Sequence, residues 1–133
     1  MNLRLIDLNK DYAEISSWWT RRGLSPVPLA CLPSLGVIVE HGCGIAAGWC
    51  YIDQGGRIAV IDFITTNPGV AMGPTTTEAI DHIIGFFEAN AKDEQIPCIL
   101  SFVAKDTGLH RFMVRNGWTD NVSSPHILLS KTL

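Results

Sequence analysis

Asp62 is the residue best suited to acid–base chemistry. It interrupts the apolar run from Ile58 to Ile64, with Val60, Ile61, Phe63 and Ile64 around it. An apolar setting penalises the charged form of a carboxyl and invites a raised pKa. That suits a group that must take a proton from an ammonium. The competing reading is a carboxylate on a solvated face, or one paired with Arg57 or a hairpin residue. Directly downstream, Asn67, Pro68, Gly69, Gly73 and Pro74 punctuate a loop, and Thr75-Thr-Thr-Glu78 follows it. That spacing is a capping box, in which Thr75 accepts from the amide of Glu78 and Glu78 reaches back to the amide of Thr75. A helix starting there offers free amides and a positive dipole end to an anion.

Other side chains carry less. His110 and Arg111 open a short late helix; Arg111 could meet a phosphate or simply be solvated. His41 falls at a hairpin turn, His82 on the polar side of a long helix, and His126 in a late strand. Cys31, Cys43, Cys50 and Cys98 form no CxxC pair. They read as small buried hydrophobes in a reducing compartment rather than as metal ligands. No Ser/His/Asp or Cys/His nucleophile arrangement stands out, and no metal is expected.

The elements that must hold Asp62 and its loop follow from periodicity. Leu3 to Leu8 alternates as a short first strand. Asp11 is expected to cap a helix to about Arg22, with Tyr12, Ile15, Trp18 and Trp19 on its face and Gly23 as its stop. Two adjacent tryptophans cannot both face a core squarely, so one should pack inward and the other cover a loop or pocket edge. Ser25 to Pro33 is a Pro-rich shaped loop of the kind that lines substrate pockets. Leu35 to Glu40 and Ile45 to Ile52 form a hairpin. A turn at Asp53-Gln-Gly-Gly56 then leads to a third antiparallel strand, Ile58 to Thr66. Ala79, Ile80, Ile83, Ile84 and Phe87 share one helical face. Cys98 to Val103 is a buried strand, and strand–helix–strand implies parallel pairing. Leu109 to Asn116 is a short helix with Leu109, Phe112 and Met113 inward. Trp118 to Asn121 and His126 to Ser130 read as closing strands. The fold class is α/β (α+β), one domain over 1–133 built on a mixed sheet.

With 133 residues and 47% hydrophobic content, the chain can bury one core. Its net charge of −3 gives no basic field for a nucleic-acid backbone, so nucleic acid is disfavoured as a partner. No apolar run approaches the roughly 20 residues that cross a bilayer. The opening residues, MNLRLIDLNKD, carry acids and no small-residue cleavage pattern. A cytoplasmic protein with no membrane partner is expected.

The elements run β, α, β, β, β, loop, α, β, α, Gly-Trp, β. Asn67-Pro68 follows the central strand, and Asn116-Gly117-Trp118 follows the last helix. In this the chain resembles the GNAT acyltransferase superfamily over nearly its whole length. Leu32-Pro33 with Gly36, the hairpin and Asn67-Pro68 also look like small GNAT-like proteins often encoded by phages. The resemblance implies the order β-α-β-β-β-α-β-α-β-β with splayed central strands. Backbone groups there leave the ladder to meet the pantetheine amides of acetyl-CoA, the co-substrate. Phe63, Ile64, Thr65 and Thr66 would face that arm. The family's pyrophosphate loop reads Q/R-x-x-G-x-G/A. Counted without gaps from Pro68 its positions fall on Ala71, Pro74 and Thr76; one deletion puts Gly73 and Thr75 on the glycines. Gly73, Thr75, Thr76 and Thr77 are the diphosphate contacts so implied. Pro74 removes one amide donor. Glu78, if it closes the capping box, adds repulsion of roughly 4 kcal/mol at about 4 Å and an effective dielectric near 20. The last family motif maps onto Asp106, Leu109, Met113, Gly117 and Trp118. Asp106 stands for an Asn and, with Arg111, is expected at the cofactor. Met113 stands where a Tyr would protonate the departing thiolate, and a thioether cannot donate; His110 or a water would have to.

The function implied is N-acetyl transfer from acetyl-CoA to an amine, with Asp62 or a water it holds as base. The acceptor would be a small molecule or a protein, and a homodimer is a candidate assembly. The alternative is a GNAT-fold binding or accessory protein that no longer catalyses, which the altered loop and missing Tyr favour. A nucleobase-modifying relative is disfavoured by the acidic balance.

Overall fold

Strands that follow one another in the chain also lie side by side. β1 (Asn2–Leu5), β2 (Leu35–Glu40), β3 (Gly44–Ile52) and β4 (Ile58–Thr66) pair antiparallel, and β5 (Cys98–Ser101) joins β4 in parallel. The computed structural model describes residues 1–53 and 55–121, which divide into two compact units, Met1–Phe102 and the segment from Val103 onward. The sheet, α1 (Leu8–Arg21), a 3-10 turn (Leu29–Cys31) and α2 (Pro74–Asp93) belong to the first unit. α3 (Gly108–Arg115) belongs to the second. The antiparallel meander, the crossover through α2 and the mixed α+β class are as the sequence implied.

Each face of the sheet is covered by its own helix. On one side α2 buries Ala79, Ile80, Ile83, Ile84 and Phe87, the face its periodicity predicts. A Cβ on Gly48 of β3 would stand 3.0 Å from Ile83 and 3.2 Å from Ile64, so a glycine is what lets α2 sit this close. On the other side α1 packs Ile15, Trp18 and Trp19 against Ile38, Ala47 and Trp49. Both α1 tryptophans are buried, at 1% and 5% exposure, where sequence logic allowed only one. Trp19 finds its place by stacking on Trp49, ring centroids 5.8 Å apart.

α1 starts earlier than expected. Asp7, not Asp11, is its N-cap, accepting from the Asn9 amide at 3.1 Å. Asp11, in the first turn, is instead buried. It accepts from Arg4 Nη1 at 2.8 Å, Arg4 Nη2 at 2.9 Å and the Asp7 amide at 2.8 Å. Arg4 also donates to Glu40 at 2.7 Å, so one guanidinium ties β1 to α1 and β2. The Arg4 hydrogen bonds, helped by the Asp7 amide, hold the Asp11 carboxyl below its usual range against the opposing effect of burial. A carboxyl depressed in the folded state contributes stability above its unfolded pKa and loses it as pH falls through the folded one. Melting temperature should therefore fall below about pH 4. Asp11→Asn should cost about 1–3 kcal/mol at neutral pH, nearer the lower figure because Arg4 reaches solvent. It should also flatten that acid limb. An unaltered limb in the variant would remove Asp11 from this role.

Several boundaries differ from the sequence reading. β1 ends at Leu5 and β5 at Ser101, and Trp118 to Asn121 carries no strand. His126 to Ser130 lies outside the described residues. Only Cys50 is buried, and burial pushes its thiol up to about 11. Cys31, Cys43 and Cys98 are exposed, because they sit in a surface turn, a hairpin turn and the first position of a short strand. No described helix is long and apolar enough to cross a membrane. No group of His, Cys, Asp and Glu among the described residues is arranged to hold a metal.

Candidate functional site

β4 and β5 part half-way along β4. Their ladder runs from Ile58↔Cys98 to Ile61↔Ser101. β4 then continues through Asp62 to Thr66 with no strand on that side among the described residues. The β3 side shows why. Ala47 faces Thr65 and Trp49 faces Asp62, so Gly48 alone spans Phe63 and Ile64. One extra residue on one strand is a β-bulge, which bends and twists its own strand. Phe63 carries the bend at φ 55°, a left-handed conformation that costs a non-glycine residue about 1 kcal/mol or more. Asp62 Oδ1 accepts from the Phe63 amide at 2.7 Å, so the displaced amide is satisfied by the neighbouring side chain. Nothing in the sequence signals this kink, since a bulky aromatic is among the residues least expected at positive φ.

Asp62 is half-buried, and its second oxygen has no hydrogen-bond partner among the described residues. The pairing with Arg57 weighed above does not form. The Phe63 ring packs onto the α1-side core and meets the Tyr51 ring edge-on at 6.3 Å. Tyr51 donates to the Cys31 carbonyl at 2.8 Å, pinning the Pro-rich loop to β3. Burial, with the nearby Asp62 charge, raises its phenol above the ordinary value. Ile64 turns toward α2 beneath Gly48. Thr65 and Thr66 have buried side chains. Arg22 donates to the Thr66 carbonyl at 3.1 Å and to its hydroxyl, so neither of those is left for a ligand. What Phe63 to Thr66 present is a strand edge, not a set of side chains.

At the start of α2 the expected capping box is absent. Gly73 is the N-cap, Pro74 the first helical residue, and no acid lies in the first turn. Thr75 is already inside the helix, and Glu78 falls in its second turn. The deciding signal is Pro74, whose fixed φ and missing N–H suit the first helical position. The Thr77 amide makes the first helical bond, to the Gly73 carbonyl at 3.0 Å, and the Thr76 hydroxyl donates to the Ala71 carbonyl at 3.1 Å. The Thr77 amide is therefore engaged within the helix. The amides of Gly73, Thr75 and Thr76 have no partner among the described residues. A Cβ on Gly73 would meet nothing within 4 Å, so the space outside those amides is open.

In the second unit, Asp106 (φ 61°) donates its amide to His110 Nδ1 at 3.0 Å, and its carbonyl accepts from Arg111 Nη1 at 2.7 Å. Because Nδ1 accepts, the imidazole proton sits on Nε2, 3.1 Å from an Asp120 oxygen. Both ring nitrogens are thus engaged. Asp106, His110 and Arg111 line a cavity of about 280 Å³ with Val114 and Arg115. Met113 is buried.

No protein-family model matches the chain, and no curated protein matches it in sequence. Solved structures match it in three dimensions. An acetyltransferase from Trypanosoma brucei superposes with a TM-score of 0.70 at 11% identity, covering 96% of this chain and 99% of that one. A ribosomal-protein-alanine N-acetyltransferase from Brucella melitensis gives 0.65 at 11%, covering 97% and 100%. The chain has the GNAT fold. Another GNAT-fold neighbour, Rv2747 from Mycobacterium tuberculosis, was solved with CoA and superposes at 0.68 with 15% identity, covering 96% of this chain and 76% of that one. At these identities the GNAT fold fixes architecture alone, and which residues work must be argued from the site itself.

Proposed function

We propose that the protein binds acetyl-CoA along the free edge of β4 and at the start of α2, and passes the acetyl group to an amine. The observation that carries this reading is the fork after Ile61↔Ser101, beyond which β4 has no strand partner on that side among the described residues. Three further facts support it. The amides of Gly73, Thr75 and Thr76 have no partner among the described residues, at a helix start with no acid in its first turn. The space beyond Gly73 is open. A GNAT-fold neighbour holds CoA.

Bound there, acetyl-CoA supplies an acyl carbon activated by its thioester. The rest falls to the chain. The backbone groups of Phe63 to Thr66 that Asp62 and Arg22 do not already engage would pair with the amides of the arm. The α2 amides would hold the diphosphate. The unengaged oxygen of Asp62 would take the proton from the incoming ammonium. Met113 cannot return a proton to the thiolate and His110 is engaged, so water fills that role. Those last two facts favour, as the second reading, a protein that binds the thioester without using it. Calorimetric titration with acetyl-CoA tests the first step: saturable heat is expected, and none at millimolar ligand would overturn the proposal. Release of free CoA thiol on adding an amine separates transfer from mere binding.

A further inference from the structure

The acceptor side of the fork is built from unusual materials. From Gly23 to Val39 the chain contains no charged residue. Val27 and Leu32 of that stretch pack onto the same cluster as Phe63, and Tyr51 holds the loop through the Cys31 carbonyl at 2.8 Å. On the same face of the sheet Asp62 lies opposite Trp49 and diagonal to Tyr51, a spacing of about 7–8 Å between strands. Tyr51 is 41% exposed, and Phe102, the residue just past the last β5 pair, is 75% exposed. Asp62 keeps one oxygen unengaged and has no ion pair among the described residues.

A carboxylate with no ion pair among the described residues, beside aromatic rings and near an uncharged segment, is complementary to an ammonium on an apolar body. The ammonium meets Asp62 and the π-faces beside it. A carboxylate or phosphate elsewhere on the same molecule would be desolvated against that loop without a partner. We infer that the acceptor is a primary amine on an uncharged apolar stem, with its ammonium on Asp62 and its stem against Tyr51 and Phe63. This rests on the transferase reading for its chemistry, although the binding step does not need it. In the transfer, the ammonium first gives one proton to Asp62, which passes it to solvent. The freed amine forms a C–N bond as the C–S bond breaks, and its second proton reaches the departing sulfur through water, so CoA leaves as the thiol.

Hexylamine and 6-aminohexanoate test the inference, since they differ in one distal carboxylate. Each is titrated calorimetrically into the protein. Hexylamine should bind at least about tenfold more tightly. Tyr51→Ala should weaken hexylamine by about 5- to 30-fold, and Tyr51→Phe, which keeps the ring, by less than about threefold. Equal or tighter binding of 6-aminohexanoate overturns the inference, and so does the absence of hexylamine binding. Should Tyr51→Ala fail to fold, the comparison of the two amines on the unaltered protein still decides. Hexylamine bound by a protein that ignores acetyl-CoA would uphold the amine site and sink the transferase. Acetyl-CoA bound, with 6-aminohexanoate the preferred acceptor, would do the reverse.

Discussion

Gly73→Asp is expected to leave the protein slightly more stable and nearly blind to acetyl-CoA. Gly73 is the N-cap of α2, its backbone is extended at φ 169°, and an added Cβ meets nothing. An aspartate there can adopt the same backbone and accept from the amides of Thr75 or Thr76. It should gain from a few tenths to about 1 kcal/mol from the cap and the helix dipole. Those are the amides proposed to hold the diphosphate. The new charge would also repel a phosphate about 4 Å away by roughly 1 kcal/mol in water, or 4 at an effective dielectric near 20. That corresponds to a loss of about 5- to 1000-fold in affinity. Melting temperature and titration on one preparation read both halves. Undiminished affinity would take the diphosphate away from α2.

Asp62→Asn should spare acetyl-CoA binding and cost turnover. The amide oxygen of asparagine can still accept from the Phe63 amide, as Asp62 Oδ1 does at 2.7 Å, so the bulge should hold its shape. What disappears is the proposed base, and general-base catalysis is worth about 10²–10⁴-fold. The amine KM should rise as well, because the charge that attracts the ammonium is gone. Turnover equal to that of the unaltered protein would exclude Asp62 from the proton transfer.

The sequence exposed those parts of the fold that depend on repeated side-chain spacing. Ile80, Ile83, Ile84 and Phe87 mark the buried face of α2 because a helix repeats every 3.6 residues. The hairpin glycines and the apolar strands gave the meander for a similar reason. Features that hang on a single residue were harder to see. Asp7 and Asp11 are both acids near a helix start, and only the position of Arg4 decides which one caps and which is buried. The Thr-Thr-Thr-Glu pattern looked like a cap, while the dipeptide Gly73-Pro74 held the truer signal. The residues proposed for CoA at the fork work through backbone, and backbone geometry at Phe63 leaves no trace in residue type. Tyr51 escaped notice because its neighbours Asp62 and Cys31 come from other segments of the chain.

On both sides of Phe63 the side chains of β4 keep faith with the same partners: Asp62 with Trp49, and Thr65 with Ala47. Excising that single residue would leave every other one pointing where it now points, and would relieve the chain of its left-handed kink. The kink beside the fork is therefore a one-residue addition to a sheet whose other β3–β4 pairings do not depend on it.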